Sequence, residues 1–277
     1  MSTAAAETRT ALVEGLMARF PHIPAEAVLK EDLLRTGIAF DDDALTDNLE
    51  GEVKPKSYFI FSFDQKPLRE LGEAALRRPP EELALTGGPY GLRRTIVSVR
   101  VNPDSPYRIV GSQLTLEGRE VADVALPPMP EYYRHELANG KTVMETAPTI
   151  QWGYLIYLTV LRLCQYFGAK EECGFCDINH NWRQHKQEGR PYTGVKSVED
   201  VLEALTIIDR YDTDRVSKAY TLTGGSITST VDGLAEADFY GRYAQAIEER
   251  FPNRWIGKVV AQALPKADVQ RYKDYGI

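Results

Sequence analysis

The chain has 277 residues, enough to bury a sizeable core, and its 43% hydrophobic and 26% charged content is that of an ordinary globular protein. A net charge of −7 argues against nucleic acid as a general partner, because binding phosphates needs a basic surface. The longest apolar run, Tyr154 to Leu163, is shorter than a membrane span and contains Arg162, and the N-terminal MSTAAAETRT lacks the basic and apolar regions of a signal peptide; no membrane partner and a cytoplasmic protein are expected.

Ala11 to Phe20 and Ala25 to Leu34 carry apolar residues at helical spacing, and Asp41-Asp42-Asp43 reads as a solvated turn. From Lys56 the texture changes. Ser57 to Phe63 predicts a strand and Pro67 to Arg77 a helix. Leu85-Thr86-Gly87-Gly88 reads as a turn following that helix. Thr95 to Val101, Tyr107 to Thr115 and Val121 to Leu126 predict three more strands, with Gly118 marking a hairpin between the last two. Tyr132 to His135 begins a short helix. These pieces describe an α+β domain over residues 1–145. It shows no catalytic constellation, and substrate or partner binding is the role left open for it.

Residues 146–277 have a different rhythm. Gly153 to Leu163 is rich in aromatic and branched residues, as expected of a strand buried on both faces. A cysteine loop and a polar stretch to Gly194 follow. Ser197 caps a helix that runs to about Tyr211, with Glu199 and Asp200 in its first turn. Lys218 to Leu222 is a strand ending at Thr223-Gly224-Gly225-Ser226, Ala235 to Phe251 a helix, Trp255 to Leu264 a strand and Pro265 to Tyr275 a helix that Gly276 closes. The order β-α-β-α-β-α implies parallel strands with right-handed crossovers. The expected fold is therefore α/β, a partial (β/α) barrel incomplete at its C-terminal end and preceded by the α+β domain.

All three cysteines fall within thirteen residues, Cys164 to Cys176, which suits metal ligation better than a disulfide framework. Cys164 comes directly after one strand, and Thr223 to Ser226 directly after the next. Parallel neighbours bring both loops to one rim, where barrel enzymes build their sites. Three thiolates bind zinc, or iron in a sulfide cluster that keeps one iron open to an outside ligand. Gly224 and Gly225 allow a close approach of backbone to a ligand and offer it N–H and C=O groups.

Cys173-Gly174-Phe175-Cys176, preceded by Cys164, together with the strand-end Leu222-Thr223-Gly224-Gly225-Ser226, resembles the radical S-adenosylmethionine superfamily. The closing helix, ending Tyr272-Lys273-Asp274-Tyr275-Gly276, is similar to the family's third helix. The resemblance covers residues 150–277 and implies a [4Fe–4S] cluster on Cys164, Cys173 and Cys176. It implies one-electron cleavage of S-adenosylmethionine to methionine and a 5′-deoxyadenosyl radical that abstracts hydrogen from a small-molecule or peptide substrate. Phe175 would lie near the adenine; Gly224, Gly225 and Thr223 or Ser226 would hold the methionine end; Gln262 would contact the ribose. An electron donor such as flavodoxin or ferredoxin is implied too.

The sequence departs from the family in three ways. Eight residues separate Cys164 from Cys173 where the family has three; Ser226 stands where Glu is usual; and three βα units are too few to close a barrel, whose eight units take about 250 residues. Two other readings stay open. Cys164, Cys173, Cys176 and His180 have the spacing of a structural Cys3His zinc site, although this leaves Thr223-Gly224-Gly225 unexplained. A non-catalytic relative serving as a binding or scaffold protein is the other. His180 and His185 read as loop residues, and Arg183 to Arg190 as a solvated basic loop.

Overall fold

The computed structural model describes residues 8–40, 52–54, 79–167, 171, 173, 176, 178–187, 189 and 192–277. The expected strand over Ser57–Phe63, the helix over Pro67–Arg77, the Asp41–Asp43 turn and Phe175 lie outside the described residues. The chain is a mixed α/β protein with two sheets, and it divides into two compact units, Met1–Met129 and Pro130–Ile277.

In the first unit, helices α1 (Arg9–Arg19) and α2 (Ala25–Thr36) precede six strands: β1 (Ala39–Phe40), β2 (Glu82–Gly87), β3 (Leu92–Ser98), β4 (Tyr107–Val110), β5 (Gln113–Leu116) and β6 (Arg119–Ala125). Their spatial order is β1-β4-β5-β6-β2-β3, with β1 parallel to β4 and the other pairs antiparallel. Thr8 caps α1 through its hydroxyl, and Val13, Leu29 and Leu33 pack with Leu83, Val97 and Leu114 in one core. Buried Asp32 accepts from the Tyr107 hydroxyl (2.8 Å) and from the Arg9 guanidinium, and burial raises the Tyr107 pKa. Gly15 is exposed in the middle of α1, and a methyl there meets no atom within 4 Å. Gly15→Ala is accordingly expected to stabilise the protein by about 0.5–1 kcal/mol by limiting the unfolded backbone. Thermal unfolding checks this, and an unchanged or lowered Tm would count against it.

Two expectations change here. Tyr107 to Thr115 is a hairpin, not one strand: Val110 pairs with Gln113, and Gly111 turns the chain at φ 57°. The buried positions change phase across the turn, from Tyr107 and Ile109 to Leu114 and Leu116, and Gly111-Ser112 is where the alternation breaks. Thr86-Gly87 ends strand β2 rather than following a helix, and Gly87 and Gly88, both at positive φ, open the β2–β3 hairpin. Gly118, at φ 80°, forms the β5–β6 turn as expected.

The second unit starts with a 3-10 turn (Glu131–Arg134), the short helix α3 (Val143–Thr146) and strand β7 (Thr149–Ile150). It continues through β8 (Leu155–Leu161), α4 (Ile178–Gln187), α5 (Val198–Tyr211), β9 (Ala219–Gly224), α6 (Glu236–Arg250), β10 (Ile256–Val259) and α7 (Lys266–Asp274). The sheet order is β10-β9-β8-β7. β8, β9 and β10 are parallel, β7 runs antiparallel to β8, and among the described residues the sheet does not close.

One face of this sheet is the core. Ile156, Leu158 and Val160 of β8 and Leu222 of β9 are fully buried, clustered with Val201, Leu205 and Ile208 of α5 and Phe239, Tyr240 and Tyr243 of α6. Each such side chain contributes about 1.5–3 kcal/mol by leaving water. The other face of β8 is partly open, since Tyr157 and Thr159 are only half-buried; the strand is not buried on both faces. The Ser197 hydroxyl accepts from Asp200 N–H (3.0 Å), capping α5 as its sequence predicts. Buried Lys196 donates to the carbonyls of Glu145 (2.9 Å) and Thr146 (2.7 Å) at the end of α3; burial, reinforced by Arg162 and Lys141, lowers its pKa to about 7.

α4 replaces the expected polar loop and carries His180, Arg183 and His185. Its apolar stripe is thin: Trp182 meets Phe167 edge to face at 5.2 Å, while Lys186 and Arg183 lie over the Trp182 and Phe167 rings. β10 is shorter than expected, ending at Val259 rather than Leu264.

Candidate functional site

Register places the C-terminal ends of β8, β9 and β10 side by side. Thr159 pairs with Thr223, Leu161 with Gly224, and Val259 with Leu222. Cys164 leaves β8 at this rim, and Gly224-Gly225-Ser226 leave β9 beside it. A Cβ added to Gly225 would lie 1.9 Å from the Leu163 carbonyl oxygen and 2.5 Å from the Cys164 Cα. One added to Gly224 would lie 2.3 Å from the Leu161 carbonyl oxygen and 2.8 Å from the Tyr240 hydroxyl. The glycine pair is therefore what lets the two strand ends touch.

Its backbone is also engaged. Gly225 N–H donates to Leu161 O (3.0 Å), and the Tyr240 hydroxyl donates to Gly225 O (2.9 Å). Sequence reasoning expects both groups to face a ligand; the structure gives both a protein partner. The carbonyl keeps a second lone pair. Tyr240 is buried, and burial, with Glu236 nearby, raises its pKa and holds it as a neutral donor.

Glu236, which the sequence alone does not single out, ties together two loops of this rim. It is 3% exposed, and its carboxylate accepts from Ile227 N–H (2.7 Å) on the β9 loop and from Gln262 N–H (3.0 Å) beyond β10. Gln262 is half-buried; its Nε2 donates to Ile227 O (3.0 Å) and its Oε1 accepts from the Tyr166 hydroxyl (3.2 Å), two residues after Cys164. Glu236 and Asp238 both stand in the first turn of α6, and only the fold reveals that Glu236 joins two loops. On the far side of β8, Arg162 N–H donates to Gly194 O (2.6 Å) and Lys196 N–H to Val160 O (2.9 Å), so the chain returns from the cysteine loop along the same strand.

The structure brings Cys164, Thr223, Gly224, Gly225, Ser226 and Gln262 to one rim. Thr223 is 8% exposed, and Ser226 half-buried with its carbonyl accepting from Gln165 N–H (3.0 Å). Cys176 N–H donates to Cys173 O (3.1 Å), with Cys173 exposed and Cys176 half-buried. Among the described residues no three His, Cys, Asp or Glu side chains stand close enough to hold a metal together. Cys164, Cys173 and Cys176 are not joined in disulfides. As a donor set, three thiols with one already fixed at a strand-end rim suit a soft metal such as cluster iron.

Comparison with protein-family models, curated proteins and solved structures gives no match. Among the described residues, no helix is long and apolar enough to cross a membrane.

Proposed function

We propose that the chain is a radical S-adenosylmethionine enzyme and that its second unit is part of a (β/α) barrel of parallel strands, preceded by an α+β domain. The supporting observation is the meeting of the two strand ends, with Gly225 packed against the backbone of Leu163 and Cys164. Cys164, Cys173 and Cys176 would hold a [4Fe–4S] cluster. When bound, the cluster supplies one electron to the sulfonium of S-adenosylmethionine, releasing a 5′-deoxyadenosyl radical that takes hydrogen from the substrate.

The chain's own residues then bind and orient. The hydroxyls of Thr223 and Ser226 offer hydrogen bonds to the methionine end, and Gly225 O offers its second lone pair to the ammonium group. Ser226 brings no carboxylate to that group, so the contact is weaker than Glu would make. Phe175 would lie beside the adenine and Gln262 near the ribose. The substrate is a small molecule or peptide, and the reductant a protein such as flavodoxin or ferredoxin. A cytoplasmic setting, which keeps thiols reduced, fits three cysteines that are not joined in disulfides.

The test is anaerobic reconstitution with iron and sulfide, followed by S-adenosylmethionine and dithionite. A coloured protein that releases 5′-deoxyadenosine is expected. A colourless protein retaining one tightly bound zinc would overturn the proposal, and an intact cluster without 5′-deoxyadenosine would make the chain a non-catalytic relative.

A further inference from the structure

Eight residues separate Cys164 from Cys173. A loop of that length is cheap to close, so it does little to fix its own ends. The structure supplies a fixed point one residue after Cys164. Gln165 N–H donates to Ser226 O (3.0 Å). Its Oε1 accepts from the backbone N–H groups of Thr228 and Ser229 (both 2.7 Å) and from their hydroxyls (3.2 and 3.1 Å), and its Nε2 donates to Thr230 O (2.9 Å). Phe167 N–H then donates back to Cys164 O (2.9 Å), closing a turn over Gln165 and Tyr166. Gln165 is exposed and no part of the core needs it, yet its side chain makes five hydrogen bonds to a single loop.

We infer that Gln165 is a positioning residue: it holds Cys164 against the 226–230 loop beside Gly225, so that only Cys173 and Cys176 depend on the long loop for their place. The clamp does for the first thiol what a short inter-cysteine spacing would otherwise do. Its role toward iron rests on the radical S-adenosylmethionine reading; the clamp itself does not.

Two variants separate these claims. Gln165→Leu removes all five side-chain bonds, whereas Gln165→Glu keeps the four acceptor contacts and replaces the donation to Thr230 O by a carboxylate oxygen facing that carbonyl. The first readout uses metal-free protein, with iodoacetamide labelling of each cysteine followed by peptide mass spectrometry. Cys164 is expected to react about fivefold faster in Gln165→Leu, the factor corresponding to one net hydrogen bond. Cys173 should keep its rate, and Gln165→Glu, which retains the four acceptor contacts, should change Cys164 less than Gln165→Leu does. An unchanged Cys164 rate in Gln165→Leu overturns the clamp. The second readout is iron content and the change in the cluster's electron paramagnetic resonance spectrum on adding S-adenosylmethionine. Loss of both in Gln165→Leu, with a smaller loss in Gln165→Glu and unchanged circular dichroism, is expected. Faster labelling with a wild-type spectrum would leave a clamp that positions nothing for the cluster and overturn the inference. Wild-type protein that takes up no iron removes the proposed function, and with it the clamp's role toward iron, whatever the labelling shows.

Discussion

Cys173→Ala is expected to lower iron uptake and release of 5′-deoxyadenosine by at least about 100-fold, since even second-shell changes at metal sites cost up to that factor. The fold should survive. Cys173 is exposed, and what it gives the local structure is its carbonyl, which accepts from Cys176 N–H and is kept by alanine. A surface substitution of this kind stays within about 0.5 kcal/mol of wild-type stability. Iron and sulfide analysis, anaerobic product assay and thermal unfolding together check this. Retained cleavage would remove Cys173 from the ligand set. Loss of cleavage accompanied by a collapse in Tm would mean that the thiol has a packing role its exposure gives no hint of.

How far the site was legible depended on whether its parts are local. β9 and α5 announce themselves through branched residues, a serine cap and acids in the first turn. Parallel pairing of β8 and β9 then follows from the crossover, bringing Cys164 and Thr223-Gly224-Gly225 to one rim. What stayed hidden depends on tertiary closure. Glu236 looks like an ordinary first-turn acid until the loops after β9 and β10 deliver Ile227 and Gln262 to it. Gln165 reads as a polar loop residue until Thr228, Ser229 and Thr230 arrive from the next strand. α4 was missed because Ile178, Trp182 and His185 are a sparse stripe among polar residues, too weak for periodicity to register. β7, two residues long, carries too little pattern to be seen in sequence.

Gly225→Ala brings these strands of reasoning together, because the same contact supports the fold and the site. The added methyl would meet the Leu163 carbonyl and the Cys164 Cα, both backbone, so no side-chain rotation relieves it. The end of β8 must retreat, straining the bond from Gly225 N–H to Leu161 O and the one from the Tyr240 hydroxyl to Gly225 O. Such overpacking costs about 2 kcal/mol. For a unit of this size that lowers Tm by roughly 4–8 °C. Iron uptake should fall with it, because the displaced backbone carries Cys164. Gly233→Ala is the control. Its methyl meets nothing within 4 Å, but its φ of 77° is unfavourable to alanine, costing about 1–2 kcal/mol. Both variants should therefore melt earlier, and only Gly225→Ala should lose iron. A wild-type Tm for Gly225→Ala would show that the strand ends are not in contact. Equal iron retention by the two variants would show that the contact serves stability alone, with Cys164 held in place by Gln165 and its loop.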